Sequence, residues 1–502
     1  MDTKFILQMA EIANTQSSKH ITILGAGVAG LIAAYELEKM GHTVDIIEAS
    51  NRIGGRIWTH RFGEENDAPY AELGAMRIPH SHQHTLHYVN EMGLSDRLCK
   101  FVTVFEEQNA FINIEGKIFK MKDAPKIFQQ RYQGIFTDES YSEKTRLFAA
   151  WLKTIVDTIS PGNLRESLQQ DLESHLMDEL ERLDLEPYFK DNGEKIDLSR
   201  FVEENPGFRA RCSKALDMFL SDIVVETSAD LLQIKGGTQL LIDRLVDSIK
   251  AEIKCNQPVV GIKVKDGYTQ IDYLENGERK TRNCDYVLCT IPFTVMRKME
   301  LEGFDSRKLN SIHNTVYCPA TKVAFHTKEN FWEKQEIKGG ASFSGAAVRQ
   351  SYYPSVKFNP ERGSVMLASY TIGDDAETMG NMSETERHNY VKDVVSKVHP
   401  ELQQEGMIKD VASIAWGNYE WSAGGCTVHW DDSNHTATYL EAARAQNTLF
   451  FAGEHCSKYP AWIQGSIEST LEAVYDIVSY KTAVDLATVY FFNTNCGELA
   501  AA

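Results

Sequence analysis

Residues 20–24, HITIL, form a nearly unbroken apolar run that stops at Gly25. A short apolar run closed by glycine suits a strand buried on both faces, because a half-exposed strand alternates apolar and polar positions. The next stretch, VAGLIAAYELEKM (28–40), changes to helical spacing and ends at Gly41. TVDIIE (43–48) then returns to the buried-strand pattern. Strand, helix and strand in that order predict one βαβ unit opening a parallel sheet.

Further along, EEQNAFINIEGKIFKMK (106–122) predicts a hairpin turning near Glu115 and Gly116. From about 125 to 230 the pattern is mostly helical and rich in charge, as in TRLFAAWLKTIVDTI (145–159) and LQQDLESHLMDELERL (168–183), and reads as a helical insertion. PVVGIKVKDG, YTQIDYLENG and ERKTRNCDYVLCTIP (258–292) predict three strands, with turns at Asp266–Gly267 and Asn276–Gly277. TKVAFHT (321–327) and SVMLASYTIG (364–373) add strands of a second sheet. NTLFFAGEH (447–455) is a further strand and IQGSIESTLEAVYDIV (463–478) a helix, so the βα arrangement of the first residues returns at the end. The expected fold is therefore α/β, with a nucleotide-binding domain assembled from discontinuous segments. Residues 20–75, 232–320 and 410–480 supply that domain, 76–124 and 321–409 a mixed-sheet substrate domain, and 125–231 the helical insertion.

Composition adds little to the fold but narrows the partners. The 502 residues carry a net charge of −19, which repels nucleic acid and anionic membranes. No apolar run reaches the ~18 residues of a membrane-spanning helix, and the first twenty residues make no convincing signal peptide. The nine cysteines include no CxxC pair, which suits reduced thiols and a cytoplasmic setting. HSHQHTLH (80–87) offers His80, His82, His84 and His87, but no cysteine or acid stands at ligand spacing, and no metal is expected.

The strongest chemical signal is Gly25, Gly27 and Gly30 in G-x-G-x-x-G, with Ala26 inside the turn, between strand and helix. The first glycine permits the tight turn, the second lets backbone amides approach a pyrophosphate, and the third lets helix and strand pack closely. The helix N-terminus favours the phosphate charge. Glu48 closes the second strand, where a carboxylate accepts hydrogen bonds from ribose hydroxyls and would repel a 2′-phosphate. Ala49 follows it.

EASNRIGGR (48–56) continues this segment with Arg52, Gly54, Gly55 and Arg56. Here the chain resembles the flavin-containing amine oxidase family, and the match extends through Ala34, Leu37, Gly41 and Val44. LFFAGEHCSKYPAWIQGSIESTLEA (449–473) is similar to the family's C-terminal segment. The resemblance covers most of residues 20–480, with little contribution from the helical insertion. It implies a Rossmann-like FAD-binding domain of the GR2 type. It also implies that Arg56 and the glycine pair lie beside the FAD diphosphate, and that Gly453 and Glu454 lie at the turn over the flavin, Glu454 binding the ribityl chain. Val259 in NQPVVGIKV corresponds to a backbone contact to adenine, and Ile463 follows the turn at the flavin.

The segment LGAMRIP (73–79) corresponds to the stretch passing along the flavin ring, which includes Gly74, Ala75 and Met76. Its arginine, Arg77, makes the resemblance closest to the L-amino acid oxidase branch, in which this guanidinium pairs with the substrate's α-carboxylate. Independently, a planar guanidinium matches a carboxylate with two parallel hydrogen bonds and keeps its charge in a desolvated pocket. The competing reading pairs Arg77 with an internal acid such as Glu72. By the same resemblance Tyr370 shares the carboxylate, and Ala461 and Trp462 form the turn that receives the amine. Trp416 lies near the flavin, and Lys322 holds a water against it. Each has a plainer alternative: core packing for the tyrosine and tryptophans, a solvent-facing lysine for Lys322. Cys426 stands where monoamine oxidases of the family carry a thioether to flavin; the amino acid oxidase branch holds FAD noncovalently, and that is the expectation here.

The resemblance thus implies FAD-dependent oxidation of an L-amino acid by molecular oxygen to a 2-oxo acid, ammonia and hydrogen peroxide. Arg77, Tyr370 and Lys322 would serve the chemistry. A monoamine or polyamine oxidase, or an amino acid 2-monooxygenase yielding an amide, shares most of these features and stays open at this point. Relatives are often homodimers, and side-chain preference is not legible.

Overall fold

The computed structural model describes residues 2–480 apart from 15–17, 66, 104–105, 115, 125–126, 128–137, 160–167, 169–175, 191–194, 210–215, 217–219, 221–229 and 429–434; residues 1 and 481–502 also lie outside it. The first apolar run is the strand His20–Leu24, paired in parallel with Thr43–Ile47 on one side and Tyr286–Cys289 on the other. Glu252–Lys254 and Leu449–Phe451 complete a five-stranded parallel sheet. Its strands therefore come from four separate parts of the chain. The helices Val28–Lys39 and Ile463–Ser479 pack on each other beside this sheet, and the second is buried along most of its length. Its buried residues include the polar Gln464, Ser466, Glu468, Ser469 and Thr470 as well as the apolar stripe of Ile467, Leu471, Val474 and Val478.

The stretch 278–292, expected as one strand, is two. Glu278–Cys284 belongs to a four-stranded sheet with Val259–Val264, Thr269–Glu275 and Glu300–Glu302. Tyr286–Cys289 enters the parallel sheet. The crossing at Asp285 carries no glycine or proline, so no turn signal marks it. The turn at Asn276–Gly277 has φ of 52° and 82°, the left-handed pair that fits a tight hairpin.

A seven-stranded sheet holds Ile408–Ala415, Ala320–Thr327, Ser364–Ile372, Arg349–Tyr352, Ala341–Gly345, Phe111–Ile114 and Lys117–Lys120, in that order. The last two are the hairpin read from residues 106–122. In the insertion, the helix Glu143–Ile159 buries Phe148, Ala149 and Leu152 in a cluster continuous with this sheet. The stretch 168–183 lies partly outside the described residues. The sequence reading missed the helix Thr3–Ala13, which packs against Ile463–Ser479 through Ile6 and Ala10.

Candidate functional site

The glycine turn is built by close approach. A Cβ on Gly30 would meet the carbonyl oxygen of Gly25 at 2.1 Å, so only glycine lets the helix start directly above the strand. Gly25 has φ of 107°, and the Thr290 hydroxyl reaches the Leu24 carbonyl at 2.9 Å to brace the turn from the neighbouring strand. Gly27 faces Gly55: a Cβ on Gly55 would lie 3.3 Å from the Gly27 Cα. Two chains without side chains thus meet at the N-terminus of the helix Val28–Lys39, leaving a cradle of backbone.

Glu48 is buried, with one carboxylate oxygen accepting from the Ala26 N–H at 2.7 Å and the other from the Ser50 N–H at 2.8 Å. This fixes the carboxylate while each oxygen keeps a lone pair for a ribose hydroxyl. Ala26 and Gly30 shape the turn from behind rather than facing the cavity. The cavity of about 580 Å³ runs from this cradle to the seven-stranded sheet. Ala49, Val259, Gly453 and Ile463 also line it, with Val259 at a β-bulge. A glycine cradle at a helix N-terminus, two arginines and an anchored acid fit a dinucleotide such as FAD: amides and cations for the diphosphate, the carboxylate for the ribose.

Arg52 and Arg56 divide their work. Arg52 donates to the Ile57 carbonyl at 2.9 Å and to that of Gly55, and lies over the Trp58 ring, organising the loop. Arg56 reaches across the molecule to Glu454 at 2.7 Å and to the Gly425 carbonyl at 3.1 Å. The second oxygen of Glu454 accepts from the Thr427 hydroxyl at 2.6 Å, the Thr427 N–H at 3.1 Å and the Ala461 N–H at 3.0 Å. Burial opposes the charge of Glu454, but Arg56, His455 and these donors outweigh it and hold the carboxyl at about 2. Ala461 has φ of 67°, a strained conformation for a residue with a Cβ, and its hydrogen bond to Glu454 holds it there.

At the far end, the cavity wall comes from the segment Glu72–Arg77 and two facing strands. Lys322 and Tyr370 are directly opposed on neighbouring antiparallel strands, with the lysine Nζ 4.7 Å from the tyrosine ring centroid. Lys322 is 4% exposed and donates to the Gly74 carbonyl at 2.6 Å and the Glu72 carbonyl at 3.1 Å, leaving one N–H of its ammonium for the cavity. Burial lowers its proton affinity; the Glu72 carboxylate partly restores it, and the Arg77 charge depresses it further. The lysine does not face solvent.

Arg77 is 8% exposed, lines the same cavity, and sits 6.0 Å from the Trp462 ring centroid. The Glu72 carboxylate is bound on its own side by the Thr238 N–H at 2.6 Å and the Thr59 hydroxyl at 2.8 Å. Trp416 is buried, with its indole N–H on the Leu73 carbonyl at 2.9 Å, and its ring meets Trp58 and Tyr419 edge-on. Gly74, Ala75 and Met76 line the wall between these groups; a Cβ on Gly74 would strike the Arg56 carbonyl at 2.2 Å.

Sequence reasoning missed Thr427, Thr290 and Tyr419, and named Glu72 only as a rival partner for Arg77. Thr290 alone had a legible signal, its place at the end of a strand beside the glycine turn. The histidines separate: His84 bonds Thr3 at 2.7 Å, and His82 packs edge-on against Trp462. Among the described residues no three His, Cys, Asp or Glu side chains gather as a metal site would require.

A family model described as flavin containing amine oxidoreductase matches residues 28–478. Over 463 residues the chain is 42% identical to the flavin-dependent L-tryptophan oxidase RebO of Lentzea aerocolonigenes, covering 92% of this chain and 98% of that one. It is 27% identical to an L-amino-acid oxidase of Siganus canaliculatus (93% and 86% covered) and 26% identical to the L-amino acid oxidase bordonein-L of Crotalus durissus terrificus (92% and 87%). A solved putrescine oxidase bound to putrescine superposes with a TM-score of 0.62 over 92% of this chain and all of that one; at 17% identity this shows the shared fold.

Proposed function

Because the chain belongs to the flavin containing amine oxidoreductases, we propose that it is an FAD-dependent oxidase of L-amino acids, with aromatic side chains preferred. The observation that carries this reading is the buried guanidinium of Arg77 in the cavity that also holds Lys322, Tyr370 and Trp462. A buried permanent cation in a cavity favours an anionic head group, and a carboxylate matches its planar fork. The rings of Trp416, Tyr419 and Trp421 lining the same cavity suit a flat apolar side chain, and the similarity to an L-tryptophan oxidase points the same way.

FAD, held noncovalently in this reading by the glycine cradle, Glu48 and Arg56, would supply the two-electron acceptor, with molecular oxygen as the final oxidant. The protein's work is positioning. Arg77 grips the carboxylate with two hydrogen bonds, and the Tyr370 hydroxyl shares one of its oxygens. The backbone carbonyl at Ala461 receives the amine, with the Trp462 ring beside it. Together they fix the orientation of the α-hydrogen. Lys322, its proton affinity lowered by burial, takes up through a held water the proton that the substrate ammonium must lose. The resulting imino acid hydrolyses to a 2-oxo acid and ammonia, and oxygen leaves as hydrogen peroxide.

A peroxide assay over the common L-amino acids, their D-forms and the matching decarboxylated amines tests this. Release with L-tryptophan or L-phenylalanine, and little with tryptamine, is expected. Turnover of tryptamine at the rate of L-tryptophan would favour an amine oxidase. An amide with carbon dioxide would indicate a monooxygenase.

A further inference from the structure

Cys318 and Cys426 stand directly opposite each other on the two-stranded antiparallel ribbon formed by Tyr317–Cys318 and Cys426–Thr427. Opposed residues on such a ribbon project to the same face, with Cα atoms about 4.5–5.5 Å apart, inside the span a disulfide bridges. Both residues line the cofactor cavity, and they are not joined to one another. The two differ in access: Cys318 is buried, while Cys426 is partly exposed. Arg56 lies close enough to Cys426 to feel its charge. The more exposed sulfur is the one that peroxide reaches first. Burial pushes the Cys318 thiol up to about 11, which keeps it protonated and makes it the later of the two to attack.

We propose that Cys318 and Cys426 are a peroxide-sensitive dithiol in the cofactor cavity, closed to a disulfide by hydrogen peroxide. The oxidant rests on the oxidase reading, since the enzyme would release peroxide into this cavity. The Cys426 sulfur attacks one peroxide oxygen, the O–O bond breaks, and the leaving hydroxide takes up the thiol proton as water. This leaves a sulfenic acid on Cys426. The Cys318 sulfur then attacks the Cys426 sulfur and displaces the second hydroxide, which leaves as water with the Cys318 proton. Two thiols and one peroxide become one disulfide and two waters; the sulfurs lose the two electrons that the peroxide gains.

The ribbon is also part of the cofactor's support, because Gly425 and Thr427, on either side of Cys426, bind Arg56 and Glu454. Closing the bridge would therefore act where the arginine and the acid are held. The fold contains its own control. Cys289 and Cys456 are wholly buried in a separate apolar cluster and do not line the cavity, so peroxide should leave them reduced.

The test uses holoenzyme without substrate, treated with a small excess of hydrogen peroxide, quenched in acid, alkylated and mapped by mass spectrometry. A crosslinked Cys318–Cys426 peptide pair, lighter by two hydrogens and restored by dithiothreitol, is expected, with Cys289 and Cys456 still alkylated. In Cys318→Ser, with flavin absorbance confirming the fold, Cys426 should instead gain two oxygens as sulfinic acid, because no resolving thiol is present. Both thiols still alkylated after peroxide would overturn the proposal, as would a peptide carrying flavin on Cys426. Repeating the experiment with L-tryptophan and air, with and without catalase, separates the two readings. A crosslink from added peroxide but none during turnover upholds the dithiol and counts against the oxidase reading.

Discussion

The Lys322 ammonium donates to the carbonyl oxygen of Gly74 at 2.6 Å. This contact ties the seven-stranded sheet to the segment that carries Arg77, so two elements distant in sequence share one wall. Its consequence is electrostatic as well as mechanical, because both cations are then held in the same desolvated space and the Arg77 charge weakens the lysine's hold on its proton.

The pH dependence of the reductive half-reaction should show this. Burial lowers the proton affinity of Lys322, so its amine becomes neutral below the ordinary lysine range of about 10.4. The rate of anaerobic flavin reduction should be low while the lysine is protonated and rise with pH through its lowered value. Lys322→Met should lose that limb and fall roughly 10²–10⁴-fold, the usual worth of a positioned base. The Glu72 carboxylate raises the lysine's affinity, so Glu72→Gln should move the limb to lower pH. A limb that stays in place in Lys322→Met would assign it to another group. Stopped-flow traces across pH 6 to about 10 would decide.

Glu454 should govern acid stability. Its folded carboxyl, at about 2, lies below its ordinary value of 4.5, so the ionised form is the one that folding favours. The stabilisation is present in full above about 4.5 and is lost as pH falls toward 2. Glu454→Gln should flatten that part of the stability curve. Glu454→Ala, which leaves the partly buried Arg56 charge without its acid, should cost about 1–3 kcal/mol. Chemical denaturation at stepped pH would measure both.

Gly30→Ala places a methyl where the Gly25 carbonyl oxygen is 2.1 Å away. Since that oxygen belongs to the backbone, the helix must lift from the strand, at about 1–3 kcal/mol. The cradle opens with it, so the purified protein should lose its visible flavin absorbance and melt earlier. A yellow protein with unchanged melting would show that the turn tolerates the shift.

Much of the architecture could be read from local signals. Gly25, Gly27 and Gly30 stand between a strand and a helix, and Glu48 ends the next strand; these relations span fewer than thirty residues, and the structure keeps them. What escaped the reading lies in long-range contacts. Arg56 meets Glu454 across 398 positions, and the Thr238 amide meets Glu72 across 166. No pattern near either residue announces its partner. The break at Asp285 was hidden because both flanking strands carry strand-type residues. Within the site, Arg77 was conspicuous for its apolar neighbours. Lys322 was conspicuous on an apolar strand whose eight residues are all buried.

The central claim is that Arg77 holds the substrate's carboxylate, and anaerobic reduction of the Arg77→Ala holoenzyme tests it most directly. Removing one partner of a buried charge pair costs about 2–5 kcal/mol, so kcat/KM for L-tryptophan should fall by roughly 30-fold to several thousandfold. The preference for L-tryptophan over tryptamine should shrink with it. Flavin reduction by L-tryptophan at the native rate and apparent affinity would contradict the account.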